Sequence, residues 1–246
     1  MSDTMSSNNT NYTENIARAL QAIQNGEMIF IFDSEGREGE TDFTIPASAV
    51  TPDDVRWMRK DGGGLICVAL DAATSKKLGL PFISDVLRDA SNSTSPSTSN
   101  SSLKTTIEKG GDLAYDTRSS FSLWVNHRET RTGIPDNDRA LTINKLSEIT
   151  DRTLSGENVV FGSEFRTPGH VALLRAAEGL VNERMGQTEL SIALAKMAGI
   201  TPAMVVCEML DENNGRALSK EDAKTYAKER DLVFLEGKEI VDAYNE

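Results

Sequence analysis

The sequence predicts a layered α/β domain, and three observations lead there. Stretches with helical apolar spacing alternate with short apolar runs of strand type along most of the chain. At 246 residues the chain is long enough to bury one sizeable core or two small ones. No internal repeat breaks the alternation, and the one low-complexity tract has segments on either side that look interdependent.

The elements follow in order. ENIARALQAIQNG sets Ile16, Leu20 and Ile23 on one helical face, with Thr13 as cap and Gly26 as stop. EMIFIFD is a strand-like run that ends at the polar stretch SEGREGETD. TPDDVRWMRKDGGG carries a helix start, with Thr51 as cap, Pro52 in the first turn and acids after it. Three glycines lead from it into the strand-like LICVAL. The tract SNSTSPSTSNSS, Ser91 to Ser102, has nothing to bury. It is expected to be a mobile loop insertion within one domain over residues 14–246, behind a disordered polar tail at residues 1–13. SFSLWVN resumes strand alternation and NDRALTINKLSEI reads as a helix. FRTPGHVALLRA suggests a turn opening a strand, and TELSIALAKMAGI a helix capped by Thr188. MVVCEML is strand-like, and a helix, a strand and a helix close the chain.

A formal net charge of -12 argues against a nucleic-acid binder, which needs a basic footprint. It leaves room for a small phosphorylated ligand held by a few arginines. The two cysteines, Cys67 and Cys207, sit in apolar runs and are expected to be buried, inert thiols. A disulfide framework or a cysteine-rich zinc site is not expected. The apolar run around Leu65 to Leu70 is far too short to cross a bilayer, and no signal segment opens the chain. A soluble, cytoplasmic protein without a membrane partner is the expectation.

Four places could carry chemistry. SEGREGETD gathers Glu35, Glu38, Glu40 and Asp42 around Arg37 at a strand end, where ligand sites of α/β sheets tend to lie. Such acids either hold a hard cation through oxygen or form a solvated loop; Gly36 and Gly39 would let backbone approach a ligand. The histidines are His127, read as structural or exposed, and His170, presented by the Pro168-Gly169 turn. Glu208 interrupts an apolar run, so it must be paired, carry a raised pKa, or face solvent. Finally, RMGQTEL puts Thr188 and Glu189 at a helix start suited to an anion, with the neutral amide of Gln187 beside them.

Together these stretches resemble the 3,4-dihydroxy-2-butanone 4-phosphate synthase family of riboflavin biosynthesis. The resemblance rests on FDSEGREGETDFTIPASAVTPDDVRWMRKDGGGLICVAL, TGIPDNDRALTI, FRTPGHVALLRAAEGLVNERMGQTEL and ITPAMVVCEMLDENNG. REGETD and DGGGLICVAL look most like its archaeal branch. The resemblance implies a single three-layer α/β domain with a mixed sheet, and a homodimer with active sites at the interface. It implies a carbon–carbon lyase that converts D-ribulose 5-phosphate to 3,4-dihydroxy-2-butanone 4-phosphate and formate, using two magnesium or manganese ions per site. Carried over by motif, Arg37 and Glu38 meet the substrate, with Glu38 also a metal ligand. Asp42 binds sugar hydroxyls, Cys67 lies near the substrate, and Arg184, Gly186 and Thr188 hold the phosphate. His170 and Glu208 do acid–base work together with Glu38, while Asp138 and Arg139 shape the site across the dimer.

One position departs from the pattern. The family motif reads G-H-T-E with a metal-binding histidine, whereas this chain has Gly186-Gln187-Thr188-Glu189. Gln187 offers an amide oxygen but no imidazole nitrogen. A working enzyme with an altered metal shell, a weakened enzyme and a sugar-phosphate binder without turnover are all compatible with that exchange. Fusion to a GTP cyclohydrolase II domain is not expected, since two cysteines in strands cannot supply its zinc site.

Overall fold

The computed structural model describes residues 12–92, 107 and 114–246. The polar tail before residue 12 and most of the serine tract lie outside the described residues. The first two residues of that tract, Ser91 and Asn92, end a helix rather than begin a loop.

Seven described strands form one mixed sheet: β1 (Ile29–Phe32), β2 (Thr41–Pro46), β3 (Cys67–Leu70), β4 (Phe121–His127), β5 (Phe165–Arg175), β6 (Ala203–Glu208) and β7 (Phe234–Glu236). Their order across the sheet is β4-β5-β3-β6-β2-β1-β7. β1 runs parallel to β7 and β3 parallel to β5, while the remaining neighbours are antiparallel. β2 was not read from the sequence. It begins inside the stretch taken as a polar loop, so Asp42 belongs to a central strand and not to a turn.

Helices cover both faces, and strand alternation decides which side chain meets which layer. Val205 and Cys207 of β6, with Val68 and Leu70 of β3, join one core beneath α2 (Pro52–Trp57), α5 (Asp136–Leu154) and α8 (Lys220–Glu229). Met204 and Val206, with Cys67 and Ala69, join the other beneath α1 (Glu14–Gln24), α7 (Gln187–Met197) and α9 (Gly237–Asn245). The result is the three-layer mixed-sheet domain that the resemblance implied. Three further short helices were not anticipated: α3 (Ala72–Lys77), α4 (Ile83–Asn92) and α6 (Phe161–Glu164).

The caps show how local chemistry sets the boundaries. Thr13 Oγ1 accepts from the Ile16 amide, and Thr51 with Asp54 forms a full capping box at the start of α2. α7 differs from expectation: Gly186, not Thr188, is the cap residue, and it makes no side-chain bond there. The helix therefore starts at Gln187, with Thr188 already in its first turn. A Cβ on Gly186 would sit 2.4 Å from an Arg184 guanidinium nitrogen and 3.0 Å from one of Arg37, so the guanidinium groups would have to shift. Both arginines thus close over this helix start.

Candidate active site

The sheet brings four chemically distinct groups to one end of the face that α7 covers. Asp42 on β2 stands directly opposite Glu208 on β6, and Cys67 on β3 opposite Val206. With Glu38, Arg184, Gln187 and Thr188 these groups line a cavity of about 170 Å³. Six of the residues carried over by motif, and Gln187 with them, are therefore neighbours in space, although they come from four separated stretches.

The loop between β1 and β2 is shaped by Asp33. Its carboxylate accepts from the backbone amides of Glu38 and Glu40, both at 3.1 Å, and faces Arg37 at 3.7 Å. Gly39 is needed for its left-handed φ of +68°, and nothing approaches within 4 Å of where a Cβ would be on Gly36 or Gly39. Gly39 therefore serves the turn. The loop folds so that acidic side chains crowd together. Burial, and then the neighbouring Asp33, pushes the Glu38 carboxyl above its ordinary range. Glu40 is pushed up to about 7 by burial and then by Glu38, Glu208 and Asp33. Asp42 is fully enclosed, and burial followed by Glu208 drives it well above the usual range. Glu35 stays outside this cluster, exposed and facing Lys220 at 3.8 Å.

Glu208 is paired, the first of the readings left open for it. Its Oε2 accepts the backbone N–H of Leu65 at 2.8 Å, so the triple-glycine loop reaches across to fix the carboxylate. The Cys67 thiol is raised by burial and by Glu208 and Asp42, which keeps it protonated and unreactive. Cys207 lies on the opposite face of the sheet in the other core, and both thiols are free.

Gln187 is held in one orientation. Its Nε2 donates to the carbonyls of Ile31 at 3.0 Å and Glu40 at 3.1 Å. That leaves Oε1 buried without a partner, and Asp42 Oδ1 is orphaned in the same way. Buried oxygens rarely remain unpaired without a reason. Two acceptor oxygens beside carboxyls that resist ionisation suit a hard divalent cation, which would supply the missing partner and the missing positive charge.

The arginines complete the site. Arg184 binds Glu189 at 2.6 Å and Asp116, while Arg37 reaches the same Asp116 carboxylate at 3.1 Å. Glu189, fully buried, also accepts from the Ala177 amide at 2.9 Å. Of these partners Asp33, Asp116 and Glu189 were missed or underrated from sequence. Only Asp33, an Asx-type residue at a strand end, carried a local signal.

His170 is the exception. Val125 of β4 pairs with Val171, but the next residue, Asn126, pairs with Arg166, so residues 167–170 bulge from the β5 ladder. Pro168 and Gly169 thus interrupt a strand instead of opening one. The exposed His170 ring lies against the Asn126 amide at 3.1 Å, four residues before Leu174, which does line the cavity. At roughly 3.3 Å per residue that is about 13 Å away along the strand. His127 is structural: it is buried edge-on to Phe165 at 5.2 Å, and burial lowers its pKa. Asp138 instead caps the Thr132-Gly133 turn and Arg139 binds Asp136 at 2.9 Å, both outside the cavity lining.

A family model of 3,4-dihydroxy-2-butanone 4-phosphate synthase matches residues 17–243. The chain belongs to that family. It is 68% identical to the synthase of Methanosarcina mazei over 94% of this chain and 91% of that protein. With the Archaeoglobus fulgidus synthase it shares 54% identity over 92% of each chain. Among solved structures it resembles the Candida albicans synthase, with a TM-score of 0.70 at 25% identity over 94% of this chain and 98% of that one. A synthase structure in complex with two magnesium ions superposes with a TM-score of 0.69 at 26% identity, covering 93% and 95% of the two chains.

Proposed function

We infer that this cavity performs the family's lyase reaction, with Gln187 serving as an oxygen ligand in the place of the family's histidine. The enzyme converts D-ribulose 5-phosphate to 3,4-dihydroxy-2-butanone 4-phosphate and formate in riboflavin biosynthesis. The observation that carries the role of Gln187 is its orphaned Oε1, fixed by two bonds from the other end of the same amide. Glu38 and Gln187 Oε1 would hold magnesium or manganese, of which the related structure binds two magnesium ions. When bound, the cation supplies Lewis-acid polarisation of the substrate's carbonyl and hydroxyl oxygens.

The chain's own residues supply the rest. Arg184 and Thr188 take the phosphate at the start of α7, with Gly186 leaving room for both guanidinium groups. Arg37 bears on the substrate from the β1–β2 loop. Asp42, buried and resisting ionisation, presents a carboxyl to the sugar hydroxyls. Glu208, steadied by the Leu65 amide, is placed to move a proton at a carbon beside the carbonyl. Cys67 forms a small neutral wall. Nothing on these elements favours the non-catalytic alternative.

His170 enters only if a second copy brings it. Its distance from its own cavity, and its exposure on the bulge of β5, support a homodimer in which each copy lends a histidine to its partner's site. Formate release from ribulose 5-phosphate with magnesium tests the reaction, and mixing tests the sharing. Glu38→Gln and His170→Ala should each be inactive alone, yet mixed and reassembled chains should regain roughly a quarter of native turnover, from one intact site per mixed dimer. No recovery from verified mixed dimers would refute the shared site.

A further inference from the structure

We propose that Asp116 is an internal competitor for the anion site, its carboxylate occupying the seat between Arg37 and Arg184 that a substrate phosphate takes. This rests on the reading that Arg184 and Thr188 receive the phosphate.

The charges around that seat argue for displacement. Arg37 faces Asp33 at 3.7 Å and Asp116 at 3.1 Å; Arg184 faces Glu189 at 2.6 Å and the same Asp116. Two guanidinium groups are therefore already outnumbered by three carboxylates. A phosphate dianion cannot join them without further repulsion, so one carboxylate has to leave. Asp33 is tied by the Glu38 and Glu40 amides, and Glu189 by the Ala177 amide inside α7. Among the described residues Asp116 has no such anchor beyond the adjoining Thr117 amide at 2.7 Å, and it lies in irregular chain ahead of β4. The arginines otherwise hold it: its carboxyl stays below the usual range despite burial, because of Arg184 first and Arg37 after it.

Its surroundings fit a removable group. Tyr115 lies 5.8 Å from the Arg37 guanidinium, and Arg118 stacks on Phe82 at 3.8 Å, so the segment docks through side-chain faces rather than a backbone ladder. Asp116 also lines the cavity itself. The competitor sets a threshold for binding. A monoanionic carboxylate gains little by replacing another carboxylate, whereas a phosphate dianion brings more charge and three oxygens to two guanidinium forks. Asp116 thus becomes a specificity determinant, favouring phosphorylated sugars over carboxylated metabolites of similar size.

The test is calorimetric titration of the metal-free, full-length protein with inorganic phosphate and with acetate. Asp116→Asn should bind phosphate at least about tenfold tighter, in line with release of one charge-assisted bond. Its preference for phosphate over acetate should narrow, and Asp116→Glu should stay near native. Equal or weaker phosphate binding by a cooperatively melting Asp116→Asn chain overturns the proposal, since the carboxylate would then be holding the arginines in place. If that variant does not fold, hydrogen exchange on the native chain decides: saturating phosphate should speed exchange in residues 114–120, and unchanged exchange overturns the proposal. Arg184→Met separates the two readings. If phosphate binding survives it, the site is not the phosphate seat; if binding is lost while Asp116→Asn gains nothing, only the competitor fails.

Discussion

Replacing Gln187 by leucine removes both donors of the amide and its orphaned oxygen while keeping the side-chain volume close to native. The carbonyls of Ile31 and Glu40 each lose a bond, at 3.0 and 3.1 Å, although Glu40 keeps the Asp33 amide at 3.2 Å and Ile31 stays in register with Asp42 of β2. A hydrogen bond to an acceptor that keeps another partner is worth about 0.5–1.5 kcal/mol, so two are worth roughly 1–3. The new apolar contacts, and the removal of an oxygen that was itself unpaired, bring the net to about 1–2 kcal/mol. For a chain of this size each kcal/mol lowers the melting temperature by about 2–4 °C, giving a fall of roughly 2–8 °C. Circular dichroism melts in a chelator measure this part, and magnesium titration the other. A magnesium-induced rise in melting temperature is expected of the native chain, and the leucine chain should lose it. Gln187→His should fall between the two, since one imidazole N–H can serve one carbonyl while the other nitrogen faces the cavity. A leucine chain that melts no lower than native and still responds to magnesium would refute both the anchoring bonds and the ligand role.

Other outcomes follow from the same contacts. Glu189→Ala strands Arg184 and the Ala177 amide in a buried site, and should cost about 3–5 kcal/mol by urea denaturation, with a raised KM for ribulose 5-phosphate. Phe43→Ala empties a fully buried position where Phe30, Trp57 and Tyr226 all meet the ring edge-on; a loss of about 3–5 kcal/mol is expected from the denaturant midpoint. Asp136 is held below the usual carboxylate range by Arg59 and then Arg139. A lowered folded pKa stabilises above the unfolded value and is lost as pH falls through the folded one. Asp136→Asn should therefore melt about one to two degrees below native near neutrality, and the difference should vanish as pH drops below about 4. A gap that widens in acid would contradict that assignment.

Much of the frame was legible because local chemistry and tertiary need agreed. Thr13, Thr51 and the apolar spacing of α1 and α5 read the same way alone as they do packed. β2 was not legible, because TDFTIP is buried at all six positions and opens within a run of acids, so it shows no polar face. The acids of SEGREGETD were recognisable as unusual, but not the strand that carries the last of them. The Thr188 cap failed because α7 starts one residue earlier, at Gln187, whose amide is held by the distant Ile31 and Glu40 carbonyls. Asp116 had no signal at all: its partners lie 79 and 68 residues away, and only the folded sheet edge brings them together. His170 stood out by motif alone, and the bulge that carries it depends on β4 pairing.

The hold on Glu208 affects how this protein tolerates change. The carboxylate is fixed by the main chain of residue 65, not by its side chain, which is partly exposed. A side chain at Gly64 would meet the Glu208 carboxylate at 2.4 Å and its backbone at 2.6 Å. Two adjacent positions should therefore drift at very different rates. Residue 65 can exchange among many side chains with that carboxylate still in place. Residue 64 admits none, although a glycine has no side-chain chemistry of its own.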